Sequence, residues 1–131
     1  MEPDLRQGRD RSLKRRVVMD RVFAVGLTAK GFPLLARFAA VSPDGEAPTR
    51  VAFTVSKRRF KRAVDRNRIK RLMRESWRHR RSLFEDEVEP GTQWAVVLIF
   101  VGREMPRTDE VHAGMDKLLK RMETAVSDQS K

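Results

Sequence analysis

The stretch that most constrains the fold is QWAVVLIFVG, residues 93–102, in which apolar side chains occupy both odd and even positions. Successive side chains of a β-strand point to opposite faces of the sheet. A strand that is apolar at both parities must therefore be covered on both faces. The sequence predicts a central strand here, with neighbouring strands beside it and apolar layers above and below it.

Two other segments alternate between apolar and mixed positions, as half-buried strands do. In residues 32–41 one face holds Phe32, Leu34, Ala36, Phe38 and Ala40, and the other holds Leu35, Arg37, Ala39 and Val41. In residues 50–56 one face holds Val51, Phe53 and Val55, and the other holds Ala52, Thr54 and Ser56. The apolar faces need cover, whereas the face with Arg37, Thr54 and Ser56 can stay open in an antiparallel sheet.

Two helices are predicted at the ends of this region. The segment SLKRRVVMDRVFAVG, residues 12–26, holds a short amphipathic helix that Gly26 is placed to end, with an apolar face of Val18, Met19, Val22 and Phe23. The second begins near Thr108, a suitable N-cap residue, and has the apolar stripe Val111, Met115, Leu118, Leu119 and Met122. We expect this stripe to cover the apolar sheet face and His112 to lie at the surface.

A third helix is predicted over residues 65–81, and its two sides differ sharply. At about 100° per residue, one arc holds Ile69, Leu72, Met73, Ser76 and Trp77. The opposite arc holds Asn67, Arg71, Arg74 and Arg78, with Lys70 beside them. A merely solvated face usually alternates in sign, but here Glu75 is the only acid after Asp65. The element order becomes α-β-β-α-β-α, an α+β single-domain α/β sandwich over residues 13–125, between disordered segments at 1–12 and 126–131.

The excess positive charge of the chain is local. Residues 57–81 carry 13 Lys and Arg and 2 Asp and Glu, a net charge of +11 that equals the charge of the whole chain. Such a concentrated basic element is typical of proteins that bind nucleic acids, because phosphate contacts release counterions. A basic helix can instead lie on anionic lipid, but the apolar arc of this helix is interleaved with charge and has a sheet to cover.

Several other classes of site find little support. The chain has no cysteine, which excludes disulfides and thiolate zinc sites. His79 and His112 lack metal-ligand spacing, and the acidic loop Glu85–Glu89 suits solvation and charge balance better than metal binding. The N-terminus lacks a secretory signal and no apolar run could span a bilayer, so a cytoplasmic location is expected.

Residues 53–78, FTVSKRRFKRAVDRNRIKRLMRESWR, closely resemble the protein subunit of bacterial ribonuclease P. The segment Arg66-Asn67-Arg68 matches the RNR signature of that family and continues as Ile69-Lys70-Arg71-Leu72. The basic entry at Leu13-Lys14 and the helix that ends in Val22-Phe23 also resemble the family. The resemblance covers roughly residues 11–122.

The resemblance implies a mixed four-stranded sheet, of which one strand is not located from the sequence, and an unusual left-handed β-α-β crossover through the basic helix. It implies that the protein binds a large catalytic RNA and the 5′ leader of precursor tRNA, and that the complex removes this leader. The RNA supplies the chemistry with Mg²⁺, so the protein itself would hold no catalytic residue and no metal. Neither a membrane nor an obligate protein partner is implied.

Site residues follow from the resemblance position by position. Those expected to contact the catalytic RNA are Lys57, Arg66, Asn67, Arg68, Lys70, Arg71, Arg74 and Arg78. Those expected in the leader-binding cleft are Met19, Phe23, Arg37, Thr54 and Ser56. Arg37 stands where the family often has an aromatic residue, which favours a contact through phosphate or the guanidinium plane over base stacking.

Three alternatives stay open. The chain could be a ribosomal or other structural RNA-binding protein without a nuclease role, or a DNA-binding protein that reads the major groove with residues 66–78. An Arg-dense face with Asn67 as its main base reader favours phosphate contacts over such readout. An autonomous nuclease would need a carboxylate cluster for metal near the basic face.

Overall fold

The computed structural model of the chain describes residues 16–129. Its elements are α1 (Arg16–Val25), β1 (Leu27–Gly31), β2 (Leu34–Val41), β3 (Thr49–Val55), α2 (Ala63–Arg80), α3 (Ser82–Glu85), β4 (Gln93–Phe100) and α4 (Thr108–Gln129). The predicted arm at residues 1–12 and the predicted start of the first helix lie outside the described residues. The α+β class and the predicted helices and strands are confirmed.

A mixed sheet with the strand order β1-β2-β4-β3 forms the centre of the fold. The pairs β1–β2 and β2–β4 are antiparallel, and β3 pairs with β4 in parallel. The strand that sequence patterning does not locate is therefore β1. Since β3 and β4 are parallel, the β3–α2–β4 segment is a crossover connection; its left-handedness stays a prediction.

Both faces of β4 are buried, as predicted, because helices lie on both sides of the sheet. On one side Leu34, Phe38 and Leu98 belong to the main core, together with side chains from α2, α3 and α4. On the other side α1 contributes Val22 to a smaller cluster with Ala39, Ala95 and Val97 from β2 and β4. The sheet is therefore covered fully on one side and partly on the other.

Some boundaries differ from those predicted. Phe32 lies in the turn between β1 and β2 with its side chain 74% exposed, instead of at the start of a strand. The short helix α3 follows α2 and buries Phe84 completely. Helix α4 continues to Gln129, past residue 125, because Ala125 and Val126 still pack against the main core.

The last helix covers the sheet with the predicted stripe, since Val111, Met115, Leu118, Leu119 and Met122 are all fully buried. The expectation for His112 was wrong in part. Its ring is half-buried, and Nδ1 lies 2.9 Å from Oγ of the fully buried Ser76 on α2. The contact between α2 and α4 brings these two polar groups together, and a single helix pattern does not reveal such a contact.

Two glycines let α4 lie directly on the end of β1. A Cβ atom on Gly114 would lie 2.7 Å from the carbonyl oxygen of Gly31, and a Cβ atom on Gly31 would lie 2.2 Å from that of Gly114. A methyl group fits at neither position without moving backbone. The close approach fixes α4 against the β1–β2 turn that carries Phe32.

Candidate nucleic-acid interface

A short basic segment, residues 56–62, joins β3 to α2, and we call it the basic loop. It folds locally because the Ser56 hydroxyl accepts the backbone N–H groups of Arg58 and Arg59 at 3.2 and 3.3 Å, while its carbonyl accepts that of Phe60 at 3.1 Å. This is the local role that Ser favours in turns. The predicted cleft residue Ser56 thus shapes the loop that leads into the basic helix.

Arg66, the first arginine of the RNR segment, anchors the basic loop. Its Nη1 donates to the backbone carbonyls of Phe60 and Lys61, both at 2.8 Å. Phe60 itself is buried against Phe100, with ring centroids 5.7 Å apart. Much of the hydrogen-bonding capacity of Arg66 therefore holds the loop, so its predicted role as an RNA contact is at most shared with a structural one.

Other predicted contacts on α2 also have partners within the protein. The guanidinium of Arg74 lies 5.5 Å from the centroid of the Phe53 ring. Arg78 donates to Glu75, whose Oε1 also lies 2.8 Å from Nε2 of His79. These contacts with Arg78 and His79 hold the pKa of the Glu75 carboxyl below its usual range. The second half of the helix face is partly neutralised.

Among the cations of the basic loop and α2, those without a partner in the described part of the chain lie in the loop and in the first half of the helix. Within residues 16–129, the side chains of this group form no hydrogen bond or ion pair; its members are Lys57, Arg58, Lys61, Arg68, Lys70 and Arg71. Asn67 is exposed on the same half of the helix. We call these seven residues the cation surface. Unpaired, exposed cations gathered on adjoining elements can each approach a separate phosphate of a polyanion.

The predicted cleft lies on the other sheet face, and the side chain of Arg37 holds one wall of it. Arg37 Nη2 donates to the carbonyl of Phe23 at 2.7 Å, and Nη1 donates to Thr28 Oγ1 at 3.1 Å. The guanidinium also lies 6.0 Å from the centroid of the Phe23 ring. It thus joins the C-terminal end of α1 to β1 and β2, which suits a cation because helix C-termini carry partial negative charge.

Phe23 stays accessible beside this tether, with 46% of its surface exposed. Phe23 is therefore a surface residue and not part of the core. Met19 is half-buried against the smaller apolar cluster. The open end of the sheet face carries a row of directly paired residues that are half-buried or exposed: Lys30, Leu35, Ile99 and Thr54. This row and Phe23 form an amphipathic surface, which we call the trough.

Glu85, the first residue of the acidic loop Glu85–Glu89, has partners within the protein. Glu85 accepts a hydrogen bond from Thr49 Oγ1 and lies 3.5 Å from the Nε atom of buried Arg81. Among the residues that the structure describes, no group of three or more His, Asp and Glu could hold a metal ion. Within the same part of the chain, no helix is long and apolar enough to cross a membrane.

Sequence patterns found the helix that carries the cations, but they could not tell free cations from engaged ones. Apart from the bond of Arg37 to Thr28 Oγ1, the hydrogen bonds of Arg37 and Arg66 end on backbone carbonyls, which no sequence pattern indicates. Arg74 was assigned to the free face, yet it covers Phe53 from the neighbouring strand. The one available signal was Arg37 itself, a lone cation at the middle of a strand.

Comparison with known proteins agrees with the resemblance noted above. A family model described as Ribonuclease P matches residues 8–123. The ribonuclease P protein component of Porphyromonas gingivalis is 32% identical over 105 residues, which cover 79% of this chain and 77% of that protein. That of Chlorobaculum tepidum is 51% identical over 63 residues, which cover 46% of this chain and only 41% of that protein.

Solved structures share the fold. The RNase P protein of Staphylococcus aureus aligns with a TM-score of 0.67 at 19% identity, over 84% of this chain and 93% of that one. The RNase P protein of Thermotoga maritima aligns with a TM-score of 0.63 at 21% identity, over 82% of this chain and 98% of that one. At these identities the structural matches show that the fold is shared, whereas the sequence matches show the family.

Proposed function

Because the chain belongs to the ribonuclease P protein family, we propose that it is the protein subunit of a ribonucleoprotein that matures the 5′ ends of tRNA. The cation surface binds the catalytic RNA, and the trough binds the single-stranded 5′ leader of precursor tRNA. The RNA carries out the cleavage with Mg²⁺. Family membership and the unpaired cations of the cation surface support this assignment.

The observation that carries the proposal is the distribution of free and paired cations. Arg68, Lys70 and Arg71 lie on a well-packed helix, whose buried side is held by Ile69, Met73 and Trp77. The helix presents these cations on a rigid element, so little conformational entropy of the backbone is lost when RNA binds. Unpaired cations held on a rigid helix suit a structured RNA better than a flexible basic tail would.

The trough suits a different part of the substrate. Phe23 offers an accessible ring, Leu35 and Ile99 offer apolar surface, and Thr54 offers a hydroxyl. Unpaired bases stack on such surfaces without strong sequence preference. Arg37 supports this surface through its bonds to α1 and β1. We therefore assign to it the positioning of Phe23, in place of the direct leader contact that the resemblance suggests.

The test compares free and engaged arginines of the RNR segment. Arg68→Gln should weaken binding of the cognate catalytic RNA and reduce the salt dependence, because each lost phosphate contact changes the log–log slope by roughly 0.7–0.9. Its thermal unfolding should match that of the unmodified protein. Arg66→Gln should lower the unfolding temperature as well, since it removes both bonds to the basic loop.

Lys120→Gln is the matched control, because Lys120 is an exposed cation on α4, away from the cation surface. It should leave both affinity and salt slope unchanged. Equal losses for Arg68→Gln and Lys120→Gln would mean that binding is a general charge effect and would contradict the proposed surface. Tighter binding of ribosomal RNA or duplex DNA at the same salt concentration would favour one of the alternative binding functions.

A further inference from the structure

A cavity at one end of the sheet has no part in the surfaces described so far. It has a volume of about 330 Å³ and lies between the β1–β2 turn and the loop after β4. Phe32, Pro33, Phe100 and Met105 give it apolar walls, and its charged lining residues are Arg103, Glu104 and Glu110. We call it the sheet-end pocket. Its volume is at the low end of the about 300–1,000 Å³ usual for ligand sites, so it suits one small planar group.

The basic loop is attached directly to this pocket. Arg59 Nη1 donates to the carbonyl of Val101 at 2.6 Å, on the rim. The buried ring of Phe60 packs on that of Phe100, which lines the pocket. Two consecutive residues of the loop thus attach the loop to the pocket lining. Within the described residues, Lys57, Arg58 and Lys61 have no ion-pair partner there.

Phe32 also lines the pocket, and at 74% it is the most exposed of the large apolar residues in the described part of the chain. Turns normally carry Gly, Pro, Asn, Asp and Ser, for reasons of backbone geometry and solvation. The turn is held in place by the close contact of Gly31 with Gly114. An aromatic ring on a rigid turn, left open to solvent beside a cavity, is available for stacking.

From this juxtaposition we propose that the sheet-end pocket binds one unpaired nucleotide of an RNA, with its base against Phe32 and its phosphate at the basic loop. The apolar walls accept the faces of the base. Arg103 and Glu104 can donate to and accept from its polar edge, which lets an adenine or cytosine place its amino group near a carboxylate. The inference rests on the proposed function only in taking RNA as the partner.

Charge complementarity selects this occupant over a protein segment. The free cations of the basic loop belong to the loop that contacts the pocket lining, and the cation surface extends from them along the first half of α2. A polyanion bound along that surface passes the pocket, so a base turned out of its stack can enter it. An apolar peptide would gain the same walls but would leave the neighbouring cations without partners.

The first experiment needs no catalytic RNA. Adenosine 5′-monophosphate and ribose 5-phosphate are titrated into the ¹⁵N-labelled full chain, and amide shifts are followed by NMR. The adenosine nucleotide should shift the amides of Phe32, Gly102 and Met105 as well as those of the basic loop. Ribose 5-phosphate, which has no base, should shift only the loop. Loop shifts alone with both ligands would overturn the proposal.

The second experiment measures the affinity of an adenosine octanucleotide by fluorescence anisotropy. Phe32→Ala should bind it more weakly by about 5- to 150-fold, the factor that corresponds to the stacking of one base on an aromatic ring. Phe32→Trp should bind it as tightly as the unmodified protein or more tightly. Val64→Ala should change nothing, because Val64 is a 64% exposed apolar residue at the start of α2 but outside the pocket.

Unchanged octanucleotide affinity in Phe32→Ala would overturn the proposal, as would equal losses in Phe32→Ala and Val64→Ala. The proposed function is judged separately, by the catalytic-RNA affinities of the Arg68 and Lys120 variants. A chain that binds the octanucleotide through Phe32 but prefers another RNA would retain the pocket and lose the proposed partner.

Discussion

At the scale of single residues, Arg37 shows how one side chain can set the shape of a binding surface without being free to bind. Its guanidinium spans α1, β1 and β2 through Phe23 and Thr28. A longer, charged side chain here fills the position where the family often has an aromatic ring. Under the proposed function, Phe23 would stack with leader bases and Arg37 would hold Phe23 in place.

We expect Arg37→Met to lower the free energy of unfolding by about 1–3 kcal/mol, since hydrogen bonds to a charged group are lost while the apolar stem is kept. Urea denaturation measures this change. Arg71→Met is the control, because Arg71 is exposed and should cost little. A cost as small as that of the control would show that the bonds of Arg37 contribute nothing to the docking of α1.

The surroundings of His112 lead us to predict how stability depends on pH. Burial lowers the pKa of its imidazole below 6.5, and Arg80 and His79 add to this lowering, whereas Asp116 and Asp109 oppose it. The unfolded chain therefore binds a proton more readily than the folded one. The contribution of His112 to stability is complete above pH 6.5 and is lost as the pH falls from there through the folded pKa.

Thermal unfolding of the unmodified protein and His112→Gln between pH 7.5 and 5.5 checks this prediction. The unmodified protein should lose more stability than the variant over that interval, because Gln does not titrate but can still accept from Ser76. Parallel pH profiles of the two proteins would contradict the assigned cause.

At the scale of elements, the contact between α4 and β1 brings the two backbones close together. In an unconstrained helix, Gly→Ala stabilises by up to about 1 kcal/mol. At position 114 the added methyl group would lie 2.7 Å from the carbonyl oxygen of Gly31. We expect Gly114→Ala to destabilise the protein by about 1–3 kcal/mol, the usual cost of overpacking, as measured by thermal unfolding.

The neighbouring position supplies the control. Ala113 is exposed on the same helix, so Ala113→Gly should cost only the intrinsic helix preference, about 1 kcal/mol. A Gly114→Ala variant that unfolds at a higher temperature than the unmodified protein would show that β1 can retreat from α4 at no cost.

The elements also show why sequence reasoning succeeds in some places and not in others. Strand β4 and the stripe of α4 were predictable because burial of whole faces imposes a strong period on the sequence. Strand β1, with the sequence LTAKG, is only five residues long, and its buried positions hold the small residues Ala29 and Gly31, so its alternation is a weak signal. It becomes a strand because β2 pairs with it and α4 covers it. Both are tertiary contacts, which a local sequence pattern does not reveal. The partners of individual arginines could not be predicted from the sequence for the same reason, since tertiary contacts determine them.

At the scale of the whole molecule, the excess positive charge lies in residues 57–81 and is not spread over the fold. The proposed function places a protein of net charge +11 at a junction between two polyanions, where it reduces the repulsion between catalytic RNA and substrate. Added Mg²⁺ reduces the same repulsion. We therefore expect high Mg²⁺ to replace the protein in part when leader cleavage by the cognate RNA is measured.

Protein freed of RNA should leave precursor tRNA intact at every Mg²⁺ concentration, and the cognate RNA should restore a single cut at the mature 5′ end. Gel analysis of end-labelled precursor tRNA distinguishes these outcomes. Cleavage by RNA-free protein that is abolished by changing one of its own carboxylates would instead make the chain an autonomous nuclease.

The position of β4 at the centre of the sheet has a consequence for biosynthesis. Strands β2 and β3 do not pair with each other. Each pairs with β4, which is the last strand in the chain. Such non-local pairing raises contact order and slows folding. During translation the cationic helix therefore leaves the ribosome before the sheet that supports it exists. We expect the nascent chain to stay unfolded until α4 emerges, with its arginines exposed to whatever RNA is nearby.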